Sequence, residues 1–148
     1  MSPLLDYGTP GLVKTDRVDA EMRLLADRHY SREHRGHREF LGPARTLVLR
    51  DTPGDVLFAW IWPEDGMRMD GQTGYNCAIF RNESQRRASE IVLEAEQAAI
   101  AYWGPNRMYT YVDPRKVASP NPGYCFKIAG WRFVRVTRKG LHLLEKSP

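Results

Sequence analysis

Residues 75–113 read YNCAIFRNESQRRASEIVLEAEQAAIAYWGPNRMYTYVD, and this stretch decides the fold. Its first six residues are a short, mostly apolar run of strand length, preceded by glycines and followed by a polar segment. From about residue 85 to residue 103 the apolar period changes to that of a helix. Val92, Ala95, Ala99 and Tyr102 make one stripe, and the many alanines suit close packing on a sheet. Gly104-Pro105 stops the helix. Residues 108–112 form a nearly unbroken apolar and aromatic run, which suits a strand covered on both faces. Asp113-Pro114 ends that strand. A strand, a crossover helix and a second strand imply a parallel pair.

The rest of the chain builds outward from this unit. Upstream, residues 45–50 and 56–62 read as two strands joined at Asp51-Thr52-Pro53-Gly54. A helix capped by Thr15 or Asp16 and running to about Tyr30 precedes them, with Val18, Met22, Leu25 and Ala26 on one face. Residues 1–14 read as an irregular arm, and 64–74 as a polar, glycine-rich loop. Downstream, a proline-rich loop leads to a short helix near residues 124–129, stopped by Gly130. Residues 131–137 and 141–144 then form a hairpin around Lys139-Gly140.

A chain of 148 residues with 42% hydrophobic residues has the size and material of one domain. No apolar run approaches the roughly 20 residues of a membrane helix. The first ten residues lack the pattern of a signal peptide, so a cytoplasmic protein is expected. Cys77 and Cys125, the only two cysteines, are then expected as reduced thiols. The net charge is +4. No acidic residue lies between Asp113 and Glu145, a stretch that holds Arg115, Lys116, Lys127, Arg132, Arg135, Arg138 and Lys139. A one-signed surface attracts polyanions, although the same residues also read as a solvated face.

Three groups of residues carry candidate chemistry. The first is Gln85-Arg86-Arg87-Ala88-Ser89-Glu90, between a strand and a helix. A helix N-terminus offers free N–H groups and positive dipole to a phosphate. The order resembles the cofactor-binding unit of the GNAT acyltransferase superfamily, whose loop is written Gln/Arg-x-x-Gly-x-Gly/Ala. Gln85 matches its first position. The glycines are absent, and Glu90 sets a carboxylate where phosphate would approach, which opposes coenzyme A in the usual mode. The resemblance implies an α/β single domain with a GNAT-like central mixed sheet flanked by helices. It also implies an acyl-CoA donor held by Arg81, Gln85, Arg86, Arg87 and Ala88. The second group, Gly123-Tyr124-Cys125-Phe126-Lys127-Ile128-Ala129-Gly130-Trp131, resembles the late GNAT segment. There the aromatic at the position of Tyr124 is often the general acid for the leaving group. A phenol, with an ordinary pKa near 10, can give a proton at neutral pH. Tyr124 reads equally as a packing residue of the short helix.

The third group is His29-Tyr30, Arg81, Ser89 and Asp113, nearly all at element ends, where a scaffold can aim them into one cleft. With Tyr124, this order resembles the phage Mom DNA-modification proteins, a divergent GNAT-like family, over roughly residues 27–131. The resemblance implies a transferase that modifies the exocyclic N6 amine of adenine in DNA and so protects the DNA from restriction. In that reading Asp113 and Tyr124 handle protons, His29, Tyr30 and Ser89 complete the site, and Arg135, Arg138 and Lys139 grip DNA. Iron accepts imidazole, phenolate and carboxylate, so His29, Tyr30 and Asp113 are a conceivable ligand set, although the sequence holds no compact metal motif. Plainer roles stand beside these: His29 as a packed histidine, Arg81 paired with Glu83, Asp113 capping a turn. An ordinary acyl-CoA N-acyltransferase of a small amine or a protein, and a non-enzymatic nucleic-acid binder on a decayed GNAT fold, are the competing functions.

Overall fold

The computed structural model describes residues 11–29, 41, 44–63, 71–117 and 119–148. Among the described residues, seven strands form one mixed sheet in the order β1-β2-β3-β4-β5-β7-β6. They are β1 (Val13–Thr15), β2 (Arg45–Arg50), β3 (Val56–Trp62), β4 (Tyr75–Asn82), β5 (Met108–Val112), β6 (Arg132–Val136) and β7 (His142–Lys146). Of these strands β4 and β5 pair in parallel, as the crossover helix between them requires; the other neighbouring pairs among them are antiparallel. Three helices among the described residues complete the order: α1 (Ala20–Asp27), α2 (Ala88–Trp103) and α3 (Tyr124–Ile128).

The alternation along β2 and β3 separates two cores. Leu47, Leu49, Phe58 and Trp60 face α2 and α3. Val48, Leu57 and Ala59 face Met22, Leu25 and Ala26 of α1. On the first face the α2 alanines Ala95, Ala98 and Ala99 are fully buried, so the helix backbone comes close enough for the Trp60 indole N–H to donate to the Ala95 carbonyl at 3.0 Å. A carboxylate completes this layer. Glu96, buried in α2, accepts from Trp131 Nε1 at 2.9 Å and pairs with Lys146 Nζ at 2.7 Å. It thereby ties α2 to the segment after α3 and to β7.

The structure changes several expectations. Val13 and Lys14 of the supposed arm, with Thr15, are a strand, because their backbone pairs with β2 from Val13↔Arg50 to Thr15↔Val48. The first helix is shorter than expected. Its cap is Asp19, whose carboxylate accepts the Met22 N–H, while Asp16 accepts the Val18 N–H in the preceding turn. Val18 therefore lies outside the helix and is exposed. The long helix opens at Ala88 rather than at Gln85, because Asn82 and Ser84 side chains bind the loop backbone up to Arg86. Tyr102 is exposed, and Ile91 and Ala98 take its place in the buried stripe. Tyr30 and residues 64–70 lie outside the described residues. Among the described residues no helix is long and apolar enough to cross a membrane.

Candidate functional site

The site is made by a failure of pairing. β4 and β5 are in register only over Tyr75↔Met108, Asn76↔Tyr109 and Cys77↔Thr110. The last pair is closed by the Thr110 hydroxyl, which donates to the Cys77 carbonyl at 2.9 Å. Beyond it the strands part, and a cavity of about 360 Å³ occupies the gap. Its wall includes Cys77, Thr110 and Tyr111 from the strands, His29 from the end of α1, and Tyr124 and Phe126 from α3. Because α1 and α3 pack on opposite faces, His29 and Tyr124 reach the notch from opposite sides of the sheet.

Glycine permits the approach of α3. Gly123 precedes the helix at φ +76°, and a Cβ there would stand 2.3 Å from Leu144 Cδ1. The helix thus sits against β7 and carries Tyr124, which is 55% exposed, to the cavity mouth. Burial, assisted by the nearby Arg81 charge, depresses the His29 pKa to about 4. His29 is therefore a neutral imidazole at ordinary pH. Burial raises both thiols, Cys125 to about 11 and Cys77 further, so neither is a thiolate nucleophile. Both cysteines are free.

Arg81 and Asp113 adjoin the cavity without forming its described wall. Arg81 Nε donates to Glu83 Oε2 at 2.9 Å, and Glu83 also takes a two-pronged contact from Arg28, at 2.8 and 3.0 Å. This cluster fixes the residue before His29 to the end of β4. Asp113 accepts from the Arg115 backbone N–H and from its guanidinium, both at 3.0 Å, which holds its carboxyl below the usual range. Arg115 in turn donates to the Lys139 carbonyl at 3.0 Å and binds the β6–β7 turn to the end of β5. Ser89 is buried in the first turn of α2. Arg135, Arg138 and Lys139 are exposed on β6 and the following turn.

The proposed donor-binding residues give a mixed fit to a pyrophosphate. The α2 N-terminus has no side-chain cap, and Gln85 and Arg87 are exposed. Yet the Ser84 N–H is given to Asn82, the Arg86 N–H to Ser84, and the Arg86 guanidinium to Glu94 at 2.7 Å. Glu90 stands in the first turn. The occupied groups and Glu90 oppose coenzyme A in the usual loop-bound mode, while the uncapped helix start, Gln85 and Arg87 favour a phosphate. For iron, no group of three or more His, Cys, Asp or Glu that could hold a metal occurs among the described residues. The sequence pointed to His29 and Tyr124 but not to Cys77, Thr110 or Phe126. The signal for the last was available, since Phe126 is two residues from Tyr124 in the same short helix.

No protein-family model matches the sequence, and no curated protein matches it. The fold is similar to that of the crystal structure of the GNAT domain of S. lividans PAT. The TM-score is 0.62 at 16% identity, over 95% of this chain and 92% of that one. The chain therefore has a GNAT-like fold.

Proposed function

We propose that this chain is a GNAT-type transferase that delivers a group to an amine in the β4–β5 notch, and that the amine belongs to a base in DNA. The observation that carries the reading is the meeting of Tyr124 and His29 across one notch. The phenol of Tyr124 can give a proton to a leaving group at the cavity mouth. The neutral imidazole of His29 can accept a hydrogen bond from the incoming amine. The proton that the amine sheds on forming its new bond passes to solvent, from which the Tyr124 phenolate is reprotonated. Burial and the Arg81 charge keep it neutral. The donor is not assigned, because the loop before α2 gives coenzyme A in its usual mode a mixed fit.

The acceptor is argued from charge. The β6–β7 turn carries Arg138 and Lys139 and is held by Arg115 to the end of β5, where the notch opens. A polyanion lying on that turn passes the cavity mouth. A base inside a duplex must leave the stack to enter such a cavity. Adenine N6 is the amine that the Mom resemblance puts first.

The test is mass spectrometry of nucleosides from DNA of cells expressing the chain, beside Tyr124→Phe. A new adenine nucleoside that disappears in the variant is the expected result. Unmodified DNA together with low-micromolar acetyl-CoA binding by calorimetry would replace this reading with an ordinary N-acyltransferase. Unmodified DNA with tight DNA binding and no acetyl-CoA binding would leave a binding protein.

A further inference from the structure

An exposed apolar ledge runs on from Tyr124 at the notch to Ile128, Phe133 and Val136, which the transfer chemistry does not use. Phe133 of β6 stands opposite Leu144 of β7, and Val136 opposite His142, so these four side chains share one face. The Phe133 and His142 rings meet edge to face at 5.2 Å. Gly123 packs on Leu144, which places Tyr124 one strand away from Phe133 on the same side. Ile128 lies one helical turn beyond Tyr124. Tyr124, Ile128, Phe133 and Val136 are each between 44% and 56% exposed. Four large apolar side chains in one place form a patch, unlike an isolated exposed leucine.

The charge around the ledge selects its occupant. Seven cations and no acid lie between Asp113 and Glu145. Arg132 and Arg135 stand opposite Glu145 and Leu143 and so face away from Phe133. Lys127 belongs to α3, whereas Arg138 and Lys139 follow Val136 in the turn. The two flanking carboxylates are themselves taken: Asp113 by Arg115, and Glu145 by Arg107 and Arg132. A second copy pairing antiparallel along the β6 edge, centred on Phe133 and Val134, would set Arg132 against Arg135 of its partner. Aromatic rings inside a cationic frame suit unpaired nucleobases, whose π-faces stack while their phosphates meet lysine and arginine.

We infer that this ledge seats unpaired bases of a DNA strand, with Phe133 as the stacking ring and Lys127, Arg138 and Lys139 available to the phosphates. This rests on the proposed DNA acceptor and deepens it: the acceptor is presented as single-stranded or locally opened DNA rather than as intact duplex.

Fluorescence anisotropy of the full chain with a labelled oligonucleotide, single-stranded or annealed to its complement, tests this. The single strand binds more tightly than the duplex. Phe133→Ala weakens single-strand binding by roughly five- to a hundredfold, the loss of one base–aromatic stack. The salt slope is unchanged, since every cation that meets a phosphate is still in place. Phe133→Leu, which keeps the apolar area without the ring, weakens binding likewise, and Phe133→Tyr restores it. The inference fails if the duplex binds as well as the strand, or if heparin competes equally per charge. It also fails if Phe133→Leu binds normally, or if Phe133→Ala only converts a dimer to a monomer in light scattering. Ring-dependent strand binding without any modified nucleoside would leave the ledge standing and remove the transferase reading. Modified DNA without ring dependence would do the reverse.

Discussion

Removing the carboxylate of Glu96 should loosen the site from behind. One oxygen accepts the buried Trp131 indole N–H, and the other pairs with Lys146, whose ammonium also donates to the Ala129 carbonyl at 2.7 Å. Glu96→Ala leaves the indole donor unmet, a cost of about 1–3 kcal/mol. It also strips the ammonium of its counter-ion. Breaking a fully buried pair costs about 3–5 kcal/mol, but the Lys146 side chain is 25% exposed and keeps Ala129. The expected total is therefore near the lower bound, about 3 kcal/mol. Glu96→Gln retains an acceptor for Trp131 and should cost about 1–2 kcal/mol. Urea unfolding would show the difference as a lower midpoint at unchanged slope. Thermal melts would fall by about 6–12 °C for the alanine variant. A double-mutant cycle of Glu96→Gln with Lys146→Met isolates the pair. A cost below about 1 kcal/mol for Glu96→Ala would refute the reasoning, because a buried indole donor would then have gone unmet at almost no expense.

Tyr124→Phe should slow base modification by about a hundredfold or more while DNA affinity holds, since the ring remains and only the proton donor is removed; single-turnover nucleoside analysis beside anisotropy checks both. His29 has a folded pKa of about 4, below the unfolded value near 6.5, so the unfolded chain takes the proton first. Its contribution is full above pH 6.5 and fades as the pH falls towards 4, by up to about 3 kcal/mol; urea titrations at both ends should show a smaller change in His29→Gln. Replacing Arg135, Arg138 and Lys139 together by alanine should reduce the log–log salt slope of DNA binding by about 0.9 for each cation that had neutralised a phosphate, with melts nearly unchanged.

Most of the architecture was legible because it follows from local pattern. The switch of period at residue 85, the alanine stripe and the glycine stops mark the strand–helix–strand unit, and the later hairpin is marked by Lys139-Gly140. Val13–Thr15 was not legible, because three residues carry no period and become a strand only by pairing with β2. The notch was half legible. Tyr124 and His29 stand at element ends that any sequence reading would inspect. Their meeting depends on where β4 and β5 stop pairing, and no local pattern encodes that. Arg81 and Asp113 illustrate the opposite difficulty. Their types suit a reaction centre, yet their nearest described partners are Glu83 and Arg115, held across or just beyond a turn.

The brief register between β4 and β5 has a mechanical meaning. With three paired positions joining β1–β4 to β5–β7, the sheet is two plates meeting at a short seam, and α2 is the strap across it. On the seam side beyond Cys77, the β4 backbone has no β5 neighbour in register to shield its amides. Hydrogen exchange should divide along this line, with each plate retaining protection as its own unit. A molecule wedged between them would then be reported by both at once.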